Sequence, residues 1–235
     1  NHPLSIGVRG DHVLKFMNDA DLVFAVGASI SPGRFGHGIP DATNKKIIQC
    51  NIDEYDVNRM YPTHHAVIGD ARATLNSLTA SLNGSSRPDV THAVKKIKAE
   101  AMAQYHEVME SEAKPINPYR VYGDLMKVLD RNNSFVTHES GNTRDQLSTA
   151  YETLIPRGFL GWGNVSSLGY SFPAVTAAKL AHPGRQCVAV IGDAALSYML
   201  GNLEVLNRLK IGITIVHINN GGFSGYGPGF WGEGH

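Results

Sequence analysis

Asp193 and Asn220 stand 27 residues apart, each just past the end of an apolar run, and between them they could hold a hard metal ion. Asp193 offers a carboxylate and Asn220 a neutral carbonyl oxygen, while Gly221 and Gly222 let main-chain oxygen approach closely. With phosphate oxygens and water this set completes the octahedral shell of Mg²⁺, so a metal here implies a diphosphate above it. Taken singly, each motif has a plainer explanation. Asp193 would cap the helix that follows, and Asn219-Asn220-Gly221-Gly222 would be an ordinary turn. Their occurrence together, at this spacing, favours the metal.

The elements that must position them are short. Gln186 to Ile191 (QCVAVI) is a β-branched apolar run stopped by Gly192-Asp193, and Ile211 to Ile218 (IGITIVHI) is a second, stopped by Asn219. From Ser197 to Arg208 the chain reads as one helix, with Leu200, Leu203, Leu206 and, just beyond, Leu209 every three residues, close to the period of about 3.6 residues. A right-handed crossover makes the two strands parallel and opens their carboxyl ends on one edge of the sheet, where ligands of open α/β sheets bind.

These residues resemble the thiamine diphosphate (ThDP) dependent enzymes of the 2-keto acid decarboxylase and acetolactate synthase type. Their signature is GDG followed by a helix and a strand ending in NN; this chain reads Gly192-Asp193-Ala194 and keeps Asn219-Asn220. The resemblance implies that Asp193, the side chain of Asn220 and the backbone carbonyl of Gly222 ligate Mg²⁺. It also implies that Gly192, the main-chain amides of Ala194 and Ala195 at a helix N-terminus, and the backbone around Phe223 face the diphosphate. Ala194 replaces the glycine at the third position of that signature and is expected to cost backbone freedom there.

Two further stretches are similar to the family. In Ser166 to Ala181 (SSLGYSFPAVTAAKLA), Leu168 matches the bulky residue that wedges between the two cofactor rings, and the main-chain carbonyl near Ser166 matches the acceptor of the aminopyrimidine's amino group. Read from residue type alone, Leu168 is equally a core leucine at a helix start. In Phe135 to Arg144 (FVTHESGNTR), Ser140, Gly141 and Asn142 match positions against the diphosphate, although turn chemistry explains the same residues.

The amino-terminal part resembles the family's central domain. Asp21 to Ser31 reads as a buried strand ending at Gly27, Lys46 to Asp56 as a second, and His65 to Leu75 as a closing strand, Gly-Asp turn and helix. Relatives use this region as scaffold or to hold FAD or ADP, with an acidic residue near the position of Asp53. Ser29 stands where nucleotide-binding relatives often have arginine, which makes scaffold the default. The expected fold class is therefore α/β with two Rossmann-like parallel-sheet domains: a partial central domain over 1–84, a linker and helix over 85–115, and a truncated pyrophosphate-binding domain over 116–235. The polar stretch Asn83 to Pro88 marks the linker. Val94, Ile97, Ala101, Tyr105 and Met109 form one stripe of the helix after it, and Tyr119, Val121, Leu125 and Leu129 are core candidates of the next.

In relatives, a glutamate in an amino-terminal pyrimidine-binding domain relays protons with the cofactor. No segment of that domain is recognised here, so the catalytic residue is unknown and a partial chain, inactive alone, is expected. Glu139 belongs to the diphosphate turn, Glu204 to a helix and Glu233 to an unmatched tail, and none is assigned that role. Phe223 to His235, rich in Gly and aromatics, is expected to cover the cofactor or line a substrate pocket.

Composition narrows the partners. Lys and Arg number 21 against 21 Asp and Glu, with no basic stripe, which argues against nucleic acid. The apolar runs fall short of the roughly 18–20 residues that cross a bilayer, and nothing at Asn1 resembles a signal peptide, so the expected location is the cytoplasm. Cys50 and Cys187 sit in apolar strands as small fillers. His64-His65 and His235 lack a third ligand at zinc-like spacing. The resemblance implies ThDP- and Mg²⁺-dependent cleavage or formation of a C–C bond beside a carbonyl, acting on a 2-keto acid or acyl substrate. A second subunit, in a homodimer or tetramer, would complete the site. Residues 192–195 and NNGG are also similar to oxalyl-CoA decarboxylase. Two alternatives remain: a non-catalytic ThDP-fold subunit, and a nucleotide-dependent oxidoreductase, for which no GxGxxG follows either early strand.

Overall fold

The structure, a computed structural model, describes residues 2–8, 10–30, 38–86, 88–161 and 166–221. It divides into two compact units, Arg9–Lys98 and the residues through Val8 together with those from Ala99 onward.

In the Arg9–Lys98 unit, α1 (Asp11–Asn18) leads into β1 (Leu22–Val26), followed by β2 (Lys46–Asn51), β3 (His65–Ile68) and α2 (Ala71–Ser81). The three strands form a parallel sheet in the order β1-β2-β3. Only β2 is well buried, through Ile47, Gln49, Cys50 and Asn51. Gln49 replaces water with protein partners: its Nε2 donates to the carbonyls of Ala28 at 3.1 Å and Asp56 at 2.9 Å, tying the loops after β1 and β2 together. Asp70 caps α2, its carboxylate accepting the Ala73 N–H at 2.9 Å. Asp53 is likewise used locally, accepting the Tyr55 N–H at 2.9 Å in a 3-10 turn.

α3 (Thr91–Met109) follows and buries Val94 and Met109 at the two ends of its stripe. In the second unit come α4 (Pro118–Val128), β4 (Ser134–His138), α5 (Asn142–Ala150), β5 (Phe159–Leu160), α6 (Ser171–Ala181), β6 (Gln186–Gly192), α7 (Asp193–Met199), α8 (Leu203–Leu209) and β7 (Thr214–Ile218). The sheet runs β5-β4-β6-β7, every pair parallel. Because side chains alternate along a strand, the register Phe135↔Cys187 and Val136↔Val188 sorts the sheet into two faces. Phe135, Cys187, Ala189 and Ile191 pack with Phe172, Val175 and Ala195 of α6 and α7. Val136, Val188 and Val190 pack on the other face with Tyr122, Leu125 and Leu147 of α4 and α5. Tyr122, fully buried, was not among the core positions read from the sequence; its hydroxyl donates to Gln146 Oε1 at 2.9 Å, which lets a polar tip lie inside.

The α/β class with two parallel sheets is as expected from the sequence. The connection after β6 differs. The helix begins at Asp193, not Ser197, and a 3-10 turn at Leu200–Asn202 divides it into α7 and α8. Gly201 and Asn202 are weak helix formers, which accounts for the break, and a carboxylate in the first turn favours the earlier start. Among the described residues no helix is long and apolar enough to cross a membrane.

Candidate functional site

The carboxyl ends of β4, β6 and β7 lie side by side on one edge of the second sheet, so the loops that leave them share one surface. At the tip of β6, Asp193 opens α7 with Gly192 before it. Its Oδ2 accepts the main-chain N–H of Asn220 at 3.1 Å and of Gly221 at 3.0 Å, from the turn that ends β7. Its Oδ1 lies 2.8 Å from Nε2 of His217. The two strand tips brought together by sequence spacing are thus joined at the Asp193 carboxylate.

The donor set fits a hard divalent ion in type: a partly exposed carboxylate and a neutral amide at neighbouring strand ends, both oxygen ligands. Gly222 and Phe223 lie outside the described residues, as does the rest of the tail to His235. Among the described residues no group of three His, Cys, Asp or Glu is placed to hold a metal, and His64 is used locally, its Nδ1 accepting the Ile47 N–H at 3.2 Å.

Ala194 lies in the first turn of α7, a helical conformation that alanine favours, so the replaced glycine carries no backbone cost at this position. Ala195 is buried against the β6 core, which leaves its main chain, not its side chain, for any contact at the edge.

The turn after β4 holds the other half of the edge. Gly141 has φ 90, a conformation open to glycine and strained for other residues, and it places Asn142 at the start of α5. Ser140 Oγ lies 2.6 Å from Ser166 Oγ, so the β4 turn and the loop before α6 meet through a hydroxyl pair. Ser166 itself has φ 60, a left-handed conformation that costs a non-glycine residue roughly 1–3 kcal/mol and persists only where its surroundings hold it. Leu168, on the same loop, is 40% exposed and belongs to neither core cluster.

Three residues here carry contacts that the sequence did not show, Glu139 among them although it was placed in the diphosphate turn. Glu139 is fully buried, and its carboxylate accepts the Ser140 N–H through Oε1 and the Ser171 N–H and hydroxyl through Oε2, at 2.9, 3.1 and 2.6 Å. His217 was read only as part of an apolar strand; an ionisable residue interrupting that run was the available signal, and the sheet register sets it opposite Ile191. His138 ends β4 with its Nδ1 3.1 Å from the Glu139 carbonyl, an acceptor, so Nδ1 carries the proton. Its ring stacks at a tilt on Phe159, and a Cβ on Gly161 would lie 2.5 Å from Nε2, so glycine makes room for it. Burial holds its pKa below the usual histidine value, the nearby Arg144 guanidinium adding to this.

Two family models match the chain. That of the thiamine pyrophosphate enzyme central domain covers residues 1–78, and that of the thiamine pyrophosphate enzyme C-terminal TPP binding domain covers residues 139–227. Among curated proteins, the chain is 28% identical to the probable acetolactate synthase large subunit of Methanocaldococcus jannaschii over 94% of its own length. It is 24% identical to the acetolactate synthase isozyme 1 large subunit of Escherichia coli over 93%, and 27% identical to oxalyl-CoA decarboxylase of Escherichia coli over 94%. The chain spans 39% of the length of each of these relatives.

Proposed function

Because the chain belongs to the thiamine pyrophosphate enzymes, we propose that it supplies the Mg²⁺-diphosphate half of a site that cleaves or forms a C–C bond beside a carbonyl. The substrate class is a 2-keto acid or an acyl compound, handled by decarboxylation or by acetolactate synthase-like carboligation, with a second subunit completing the site. The observation that carries this reading is the Asp193 carboxylate receiving both main-chain amides of the β7 turn.

In this reading Asp193 and the Asn220 amide hold the metal, joined by the Gly222 carbonyl. Gly192 and the amides of Ala194 and Ala195 face the diphosphate from one side and Ser140, Gly141 and Asn142 from the other, with the backbone around Phe223 assigned the same task. Leu168 supports the cofactor's bend, and the Ser166 carbonyl receives its amino group. When bound, ThDP supplies the electron sink that such bond breaking needs. The protein's share is to grip, orient and exclude water. The amino-terminal unit serves as scaffold, since Asp53 and Gln49 are committed to its own loops.

Calorimetric titration of the full-length protein with ThDP and Mg²⁺ tests the site. Asp193→Ala is expected to weaken binding by more than about tenfold, the loss typical of even an indirect metal partner. Unchanged affinity would overturn the assignment. Product analysis with pyruvate, benzoylformate and oxalyl-CoA then separates decarboxylation from carboligation.

A further inference from the structure

The loop carrying Leu168 is fastened to the tip of β4 at both of its ends. At its start, Ser166 Oγ meets Ser140 Oγ at 2.6 Å. At its end, the N–H and hydroxyl of Ser171 donate to Oε2 of Glu139, while Oε1 of that carboxylate accepts the N–H of Ser140. The bonds close a circuit: Ser166 to Ser140, Ser140 to Glu139, Glu139 to Ser171, and back along the chain through Ser167, Leu168, Gly169 and Tyr170. Glu139 is in turn anchored in the sheet, its N–H donating to the Val190 carbonyl at 3.0 Å and its own carbonyl accepting from Thr143 Oγ1 at 3.1 Å. Between the two fastenings Ser167 and Leu168 are exposed, and Gly169 turns the chain at φ 90.

We propose that Glu139, Ser140 and Ser171 are positioning residues that hold Ser166 in its left-handed conformation and thereby present Leu168 and the Ser166 carbonyl to the cofactor. The inference rests on the ThDP reading for what the loop meets, and on the hydrogen-bond circuit alone for how the loop is held. A serine at φ 60 is drawn toward extended or right-handed backbone once its restraint is removed, whereas glycine adopts φ 60 without that steric cost. Relaxation of Ser166 lowers the fraction of molecules whose loop is ready to bind, and apparent affinity falls with that fraction.

The test is a double-mutant cycle on the full-length protein with Ser140→Ala, Ser166→Gly and the two combined. Hydrogen exchange of the peptide spanning 166–171 is read without cofactor, and Mg²⁺-ThDP affinity is read by calorimetry. Ser140→Ala is expected to speed exchange across the loop and to weaken binding about fivefold, the worth of one net hydrogen bond. In the Ser166→Gly background, where the Oγ that Ser140 meets is gone and φ 60 carries no steric cost, the same substitution should cost clearly less than in the native background, the remainder being what Ser140 contributes by facing the diphosphate itself. Equal losses in both backgrounds would mean that Ser140 acts only by touching the diphosphate, and unchanged exchange in Ser140→Ala would mean that the loop is not held through it; either result overturns the proposal. Failure of the wild-type protein to bind ThDP at all would overturn the cofactor reading, and the exchange data would still decide whether the circuit restrains the loop.

Discussion

The chain builds two parallel sheets by the same strand-loop-helix rule and buries them to different depths. In the second unit β4 is buried along its whole length and β6 from Cys187 to Ile191, with helices covering both faces. In the Arg9–Lys98 unit β3 is exposed throughout, and Leu75 and Leu78 of α2 and Leu82 just after it are all exposed. A parallel strand is stabilised by what covers its faces more than by its own propensity. The edge loops with Asp193, Glu139 and Ser140 therefore grow from the two buried central strands of the sheet, which is what a site held to small tolerances needs.

The largest effect should come from the cores themselves. Leu147→Ala, at a fully buried position, is expected to cost about 2–5 kcal/mol in urea unfolding, while Leu78→Ala on α2 should cost less than about 1 kcal/mol. Similar losses at the two positions would break the comparison. A finer probe is added volume. A Cβ on Gly123 would lie 2.9 Å from Met109 Cβ, where α4 approaches the end of α3, so Gly123→Ala should lose about 1–3 kcal/mol despite the better helix propensity of alanine. Gly69→Ala, whose nearest neighbour is Thr74 Oγ1 at 3.6 Å, should stay within about 0.5 kcal/mol of the native protein.

The smallest effect is the pH response of the buried sheet. His138 is held neutral by burial, so as pH falls the unfolded chain takes up its proton before the folded one does. Its contribution to stability is complete above the ordinary histidine value near 6.5 and is lost as pH drops below it, with a slope of at most about 1.4 kcal/mol per pH unit. Unfolding curves between pH 7 and pH 5 for His138→Gln should be flatter than those of the native protein, and parallel curves would show that the ring is not the source.

Much of the strand and helix order was legible because it is local. Apolar β-branched runs and the Gly-Asp pairs that end β3 and β6 each announce an element from a few adjacent residues. The broken α7–α8 helix was not, since the leucine period runs straight through Gly201-Asn202 and only the backbone shows where it yields. Leu168 was ambiguous for a related reason: residue type cannot tell a core leucine from one lifted onto a loop.

The sequence by itself determined that Asp193 and Asn220 reach the same sheet edge, because parallel strands joined by a right-handed crossover leave no other place for them. Tertiary structure alone decided who meets whom at that edge. The pairing of Ser140 with Ser166, of Glu139 with Ser171 and of His217 with Asp193 joins residues 24 to 32 positions apart through side chains. Such contacts depend on how loops fold back over the strand tips, and neither propensity nor periodicity carries that information.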